Sequence, residues 1–147
     1  MQTKNLIKEI IEKTGIKVIE VAEADDKGST WYNVEVSEPH FFISRDGEAL
    51  HALNHLVRRI TENAEAEPNF LIDINGFQKK RVDSVRAIAH MMAERARYFK
   101  SNIEIDPMSA FERRIVHEFL AEATDLKTES SGVGPTRRVV IKYIGSS

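Results

Sequence analysis

Phe41-Phe42-Ile43-Ser44-Arg45-Asp46-Gly47-Glu48-Ala49-Leu50-His51-Ala52-Leu53 is the stretch on which the reading of this chain turns. An apolar triplet runs into Ser-Arg-Asp-Gly, and beyond it Ala49, Leu50, Leu53, Leu56, Val57 and Ile60 trace one helical face. The spacing predicts two helical pieces joined by a tight loop. Such a loop can aim backbone N–H groups, and the positive end of the second helix, at a phosphate. A plainer reading stands beside it, in which Ser44 caps the helix and Gly47 eases the turn.

Upstream of the loop, Leu6, Ile7, Ile10 and Ile11 repeat at helical spacing until Gly15 stops the helix. Residues 17–23 and 31–36 alternate apolar with polar side chains around Asp25-Asp26-Lys27-Gly28-Ser29, which predicts a hairpin. Downstream, Phe70–Ile74 lies between Pro68-Asn69 and Asn75-Gly76 and reads as a third, mostly buried strand. A helix over 77–100 should follow without a breaker, with Val82, Val85, Ile88, Ala89, Met92 and Phe99 inside and Lys and Arg outside. Ile103 and Ile105 mark a short strand, and Ser109 caps a helix through Ile115, Val116, Phe119 and Leu120. Two strands close the chain, the last over 137–144, with a flexible loop from Thr128 to Pro135 before it. This order predicts an α+β fold of two small units, residues 1–77 and 78–147.

The 147 residues, 41% hydrophobic and 30% charged, are enough for real cores and too ordinary in composition for a disordered or fibrous chain. There is no cysteine, so disulfides, thiolate metal sites and a cysteine nucleophile are excluded. Met1-Gln2-Thr3-Lys4-Asn5-Leu6 meets charge within one turn, unlike a signal peptide or membrane span, which predicts a soluble chain that is neither exported nor membrane-inserted. The net charge of −2 hides an asymmetry: residues 1–77 carry −6 and residues 78–147 carry +4. A polyanion should prefer the second half.

In that half, Pro107-Met108-Ser109-Ala110-Phe111-Glu112-Arg113-Arg114-Ile115-Val116-His117 stacks Arg113 and His117 four apart on one helix face. Arg can grip a phosphate through two N–H groups, and an imidazole can donate to a phosphate oxygen or stack on a base. Arg137, Arg138 and Lys142 of the final strand, with Arg114, would complete a cationic surface. Taken alone, the pair is also what a solvated helix face looks like.

The order of elements around Ser44–Gly47 is similar to that of a KH domain of the bacterial type (type II). In such domains a Gly-x-x-Gly loop clamps the backbone of about four nucleotides. The resemblance makes Ser44, Arg45 and Gly47 candidate phosphate contacts. The loop departs from the pattern at Ser44, and Asp46 places a negative charge at its tip, against which Arg45 works.

Over about 4–144, including Asp46 to Leu53, Met108, Phe111 to His117 and Arg137 to Lys142, the chain resembles the Jag family, also called SpoIIIJ-associated proteins. Members join a KH domain to a domain named for an Arg-x-x-x-His motif. The resemblance implies a bacterial, cytoplasmic protein that binds single-stranded RNA, with single-stranded DNA as the alternative ligand. It makes Arg113 and His117 the named pair of the second domain, with Arg138 and Lys142 flanking them. It also implies a functional link to a membrane-protein insertase, and an additional N-terminal domain of many members is not found in this sequence.

Other patterns carry less. His51 and His55 have a chelating spacing without the Glu of the zinc-protease motif, and they lie on the polar side of their helix. Gly132-Val133-Gly134-Pro135 lacks the Gly-Lys-Ser/Thr of a phosphate loop. Lys79, Lys80, Arg81, Arg86, Arg95, Arg97 and Arg114 fit either a phosphate path or a solvated face, and Trp31 and Tyr32 fit strand packing. No nucleophile with its base, carboxylate pair or metal constellation is legible, so the expectation is a binder without catalysis or cofactor. The rivals are a protein-interaction adaptor with a degenerate loop and a nuclease using His117 as general base.

Overall fold

A computed structural model describes residues 3–26, 28–62 and 69–145. Lys27 of the expected hairpin turn and Pro68 before the third strand lie outside the described residues. The fold is α+β and divides into two units, with the boundary between Lys79 and Lys80.

The first unit begins with α1 (Thr3–Lys13), ended by Gly15 at φ 89°. Strands β1 (Val18–Asp26) and β2 (Ser29–Val36) form the hairpin, and β3 (Phe70–Ile74) joins β2 in parallel, giving the order β1-β2-β3. Between β2 and β3 runs α2 (His40–Thr61), broken by non-helical residues Ser44 to Gly47. Ile7 and Ile11 of α1, Leu50, Leu53 and Val57 of α2, and Val21, Val34, Val36, Ile72 and Ile74 of the sheet share one apolar core. The alternation expected along β1 is interrupted. Register shifts between Val18 and Glu20, so Val18 and Val21 both face the core while Ile19 is turned out to solvent. On α2 the inward face is narrower than its periodicity implies: Leu56 and Ile60 are exposed, and Asn54 is buried in their stead.

Three polar side chains tie this sheet to the helices and turn around it. The Asn54 amide accepts from the Ile72 N–H (2.8 Å) and donates to the Ile72 carbonyl (3.0 Å), taking the place a further strand would occupy beside β3. Asn75 does the same for Val36, accepting from its N–H (2.9 Å) and donating to its carbonyl (3.3 Å). The buried Asp73 carboxylate accepts from the N–H groups of Gln78 and Lys79 at 2.7 and 3.0 Å, capping the helix α3 (Phe77–Phe99).

α3 runs unbroken over nearly its expected span, but its buried positions are Gln78, Val82, Val85, Ala89, Ala93 and Ala96. Ile88 and Phe99, expected inside, are exposed, because a row of small alanines occupies the inward stripe. The second unit continues with β4 (Ile103–Glu104), α4 (Ala110–Leu120), β5 (Leu126–Ser131), a 3₁₀ turn at Gly134–Thr136 and β6 (Arg138–Tyr143). Its sheet is antiparallel in the order β4-β6-β5. Residues 128–131, expected to be loop, are strand: Thr128 to Ser131 pair with Ile141 to Arg138, so the strand is set by its partner and not by its own weakly apolar sequence.

Candidate nucleic-acid interface

α4 is well defined locally. The Ser109 hydroxyl accepts from the Glu112 N–H and the Glu112 carboxylate accepts from the Ser109 N–H, a complete capping box. Ile115, Val116 and Leu120 are buried with Leu126, Val139 and Ile141, which seats α4 on one face of the sheet. Arg113 and His117 therefore flank the packed stripe, half-buried, while Arg114 points to solvent.

Each member of the pair is held by the chain around it. Arg113 Nη1 donates to the Met108 carbonyl (2.6 Å), and the Met108 N–H in turn donates to the Arg137 carbonyl (3.3 Å). The Arg137 guanidinium donates to the Gly132 carbonyl (2.8 Å). One short chain of hydrogen bonds thus ties the start of α4 to the start of β6. The His117 ring is bracketed by two hydroxyls of β5, with Nδ1 2.6 Å from Thr128 Oγ1 and Nε2 3.0 Å from Ser130 Oγ.

The expected single cationic surface is divided by strand alternation. Residues opposed in an antiparallel ladder share a face, so Leu126, Thr128, Ser130, Val139 and Ile141 look toward α4, and Arg137 continues that side. Arg138 and Lys142 fall on the opposite face, with Glu104 and Glu129. There Arg138 binds Glu104 through two nitrogens (2.6 and 3.0 Å) and Lys142 binds Glu129 at 2.8 Å. Lys142 holds the Glu129 carboxyl below its ordinary value. Arg113 and His117 share the α4 side, and the backbone of Arg137 is tied to the start of that helix through Met108; Arg138 and Lys142 lie on the other face, their charge matched by carboxylates.

In the first unit the loop is drawn tightly. Ser44 is extended (φ −66°, ψ 161°), and Arg45, Asp46 and Gly47 follow with φ of 54°, 60° and 78°. Three successive left-handed residues turn the chain back on itself and leave Arg45 and Asp46 exposed at the tip. Gly47 is demanded twice, by its φ and because a Cβ there would lie 2.7 Å from the Phe77 ring. Beside the loop is an open groove of about 860 Å³ in which Pro39, Phe41, Ile43, Ala49 and Ala52 alternate with polar lining from Glu38, His40, Ser44, Arg45 and Glu48.

The remaining sequence candidates separate cleanly. His51 and His55 are exposed on α2, and among the described residues no group of three or more His, Asp or Glu could hold a metal. Arg97 of the long helix binds Asp125 (2.7 Å) and Glu94 (2.8 Å), closing α3 against the α4–β5 turn. Tyr32 is buried against Phe70, edge to face. Thr128 and Ser130 were not among the expected site residues. Their signal was a pair of hydroxyls two apart, which alternation places on one strand face.

Residues 83–143 match the R-3-H domain, the domain named for its Arg-x-x-x-His motif. The chain is 26% identical over 127 residues to the RNA-binding protein KhpB of Bacillus subtilis, covering 84% of this chain and 61% of that protein. It is 24% identical over 110 residues to the RNA-binding protein KhpB of Clostridium symbiosum, covering 74% and 50%. With the RNA-binding protein KhpB of Streptococcus pneumoniae it shares 27% identity over 109 residues, 74% of this chain and 33% of the relative. The chain thus spans between a third and three-fifths of the length of these relatives.

Proposed function

We propose that this chain binds single-stranded RNA without transforming it, as a bacterial RNA-binding regulator, through the α4-side face of its second unit. The observation that carries this reading is the placing of Arg113 and His117 on that face, with Arg137 tied to it through Met108, inside the region matched to the Arg-x-x-x-His domain. The printed names of the relatives support RNA as the ligand. Guanidinium groups held from behind by carbonyls keep further N–H donors for phosphate oxygens, which supply affinity and position, not sequence readout.

The first unit is read as KH-like. Its order, with a tight loop inside α2 and a parallel β2–β3 pair, supports that reading, as does the groove beside the loop. In this role Ser44, Arg45 and Gly47 meet the backbone and the groove takes bases. The setting is the cytoplasm; among the described residues no helix is long and apolar enough to cross a membrane.

Fluorescence anisotropy with a labelled single-stranded RNA, at two salt concentrations, tests the assignment. Binding should weaken with salt. Arg113→Ala and Arg137→Ala should each weaken it about tenfold, the loss of a charge-assisted contact, and Arg138→Ala and Lys142→Ala by less. Equal losses at all four positions, or none, would sink the one-face reading. Competition with unlabelled single-stranded DNA separates the two nucleic acids.

A further inference from the structure

Both ring nitrogens of His117 are already engaged, one by Thr128 and one by Ser130. The imidazole can meet a phosphate directly only by releasing a hydroxyl of β5. Thr128 and Ser130 are two apart on one face of an edge strand, half-buried, so their hydroxyls keep an outward side. The cations nearest them in the fold are Arg113 and Arg114, one turn before His117 on α4, and Arg137 at the head of β6; the carboxylates of that helix are Glu112, which closes the Ser109 cap, and Glu118, beside His117. Lys127 and Glu129, the charged neighbours on β5 itself, belong to the opposite face.

We infer that Thr128 and Ser130 are the groups of β5 that receive phosphate oxygens of the RNA strand, and that His117 is the positioning residue that orients their hydroxyls. The inference rests on the RNA-binding reading of this face. Its chemistry follows from counting protons. A phosphodiester oxygen only accepts, so each hydroxyl must donate its proton outward. A neutral imidazole has one N–H and one lone pair, so one of the two hydroxyls must spend its proton on the ring. An imidazolium donates from both nitrogens, both hydroxyls accept from it, and both protons are free for phosphate. Phosphate bound by both hydroxyls therefore favours the doubly protonated ring, so binding strengthens at lower pH.

The experiment is anisotropy with single-stranded RNA at pH 6 and pH 8, comparing wild type, Arg113→Ala, the double variant Thr128→Val with Ser130→Ala, and the exchange Thr128→Ser with Ser130→Thr. The double variant should bind about tenfold more weakly at pH 6 and lose most of the wild-type difference between the two pH values, while the exchange retains both. His40, His51, His55 and His90 are shared by all variants and cancel in the comparison. If the double variant melts early, the isosteric Thr128→Val alone makes the same comparison. Wild-type binding that Arg113→Ala weakens, with the hydroxyl variant equal to wild type at both pH values, overturns this inference and leaves the reading of the face intact. No wild-type binding at all overturns both.

Discussion

Asn54, Asn75 and Gly47 are fixed by contacts far away in the chain and Asp73 by the helix start five and six residues on, and each makes a distinct demand. A Cβ at Gly47 meets the Phe77 ring at 2.7 Å on a backbone at φ 78°, so Gly47→Ala should lower stability by about 2 kcal/mol, read from urea unfolding; a change under about 0.5 would contradict the geometry. Burial pushes the Asp73 carboxyl above its ordinary 3.8, outweighing the N–H groups of Gln78 and Lys79 that pull it down. The folded state thus takes a proton before the unfolded chain does, and Asp73 steadies the fold as pH falls from neutral toward 3.8. Asp125, held down by Arg97, and Glu129, held down by Lys142, act the other way: their contribution is present above 3.8 and 4.5 and is lost as pH falls through their lowered values. Asp73→Asn removes this favourable response, so its urea midpoint should fall more steeply than wild type between pH 7 and pH 4. Parallel curves would count against the buried carboxylate. The roles of Asn54, Asn75 and Gly47 are not legible locally, because each depends on a backbone group or ring brought in from elsewhere; an Asn at position 54 looks like any polar interruption of a helical stripe.

The break in α2, the length of α3 and the Ser109 cap were legible because they depend on neighbours in sequence: a Gly after a charged pair, an unbroken periodic run, a Ser three before a Glu. The extent of β5 was not: a strand before the last was expected, but Thr128 to Ser131 read as loop, since they carry no strand-like apolar alternation and owe their conformation to pairing with β6. The same holds for Ile19, whose exposure comes from a register shift that only the partner strand reveals. The cap that was legible also supports the site, since it starts the turn from which Arg113 reaches the Met108 carbonyl. Ser109→Ala should cost about 1 kcal/mol and weaken RNA binding through a frayed first turn. Circular dichroism melts and anisotropy together check this; a destabilised protein with unchanged affinity would detach the cap from the site.

Across the chain, the charge asymmetry points to the second half but not to a face. Net charge counts Arg138 and Lys142 with Arg113 and Arg137, whereas the pleat of β6 sends 138 and 142 to one side and 137 to the other, and Glu104 and Glu129 match the first pair. What distinguishes the α4 side is cations held by carbonyls rather than carboxylates, beside a histidine bracketed by hydroxyls. An amide-resolved NMR titration of the intact chain with single-stranded RNA tests this most directly. The largest shifts are expected at residues 109–117, 128–131 and 137, with smaller ones around 44–48. Shifts concentrated at 104, 127, 129 and 142, or confined to the first unit, would contradict it.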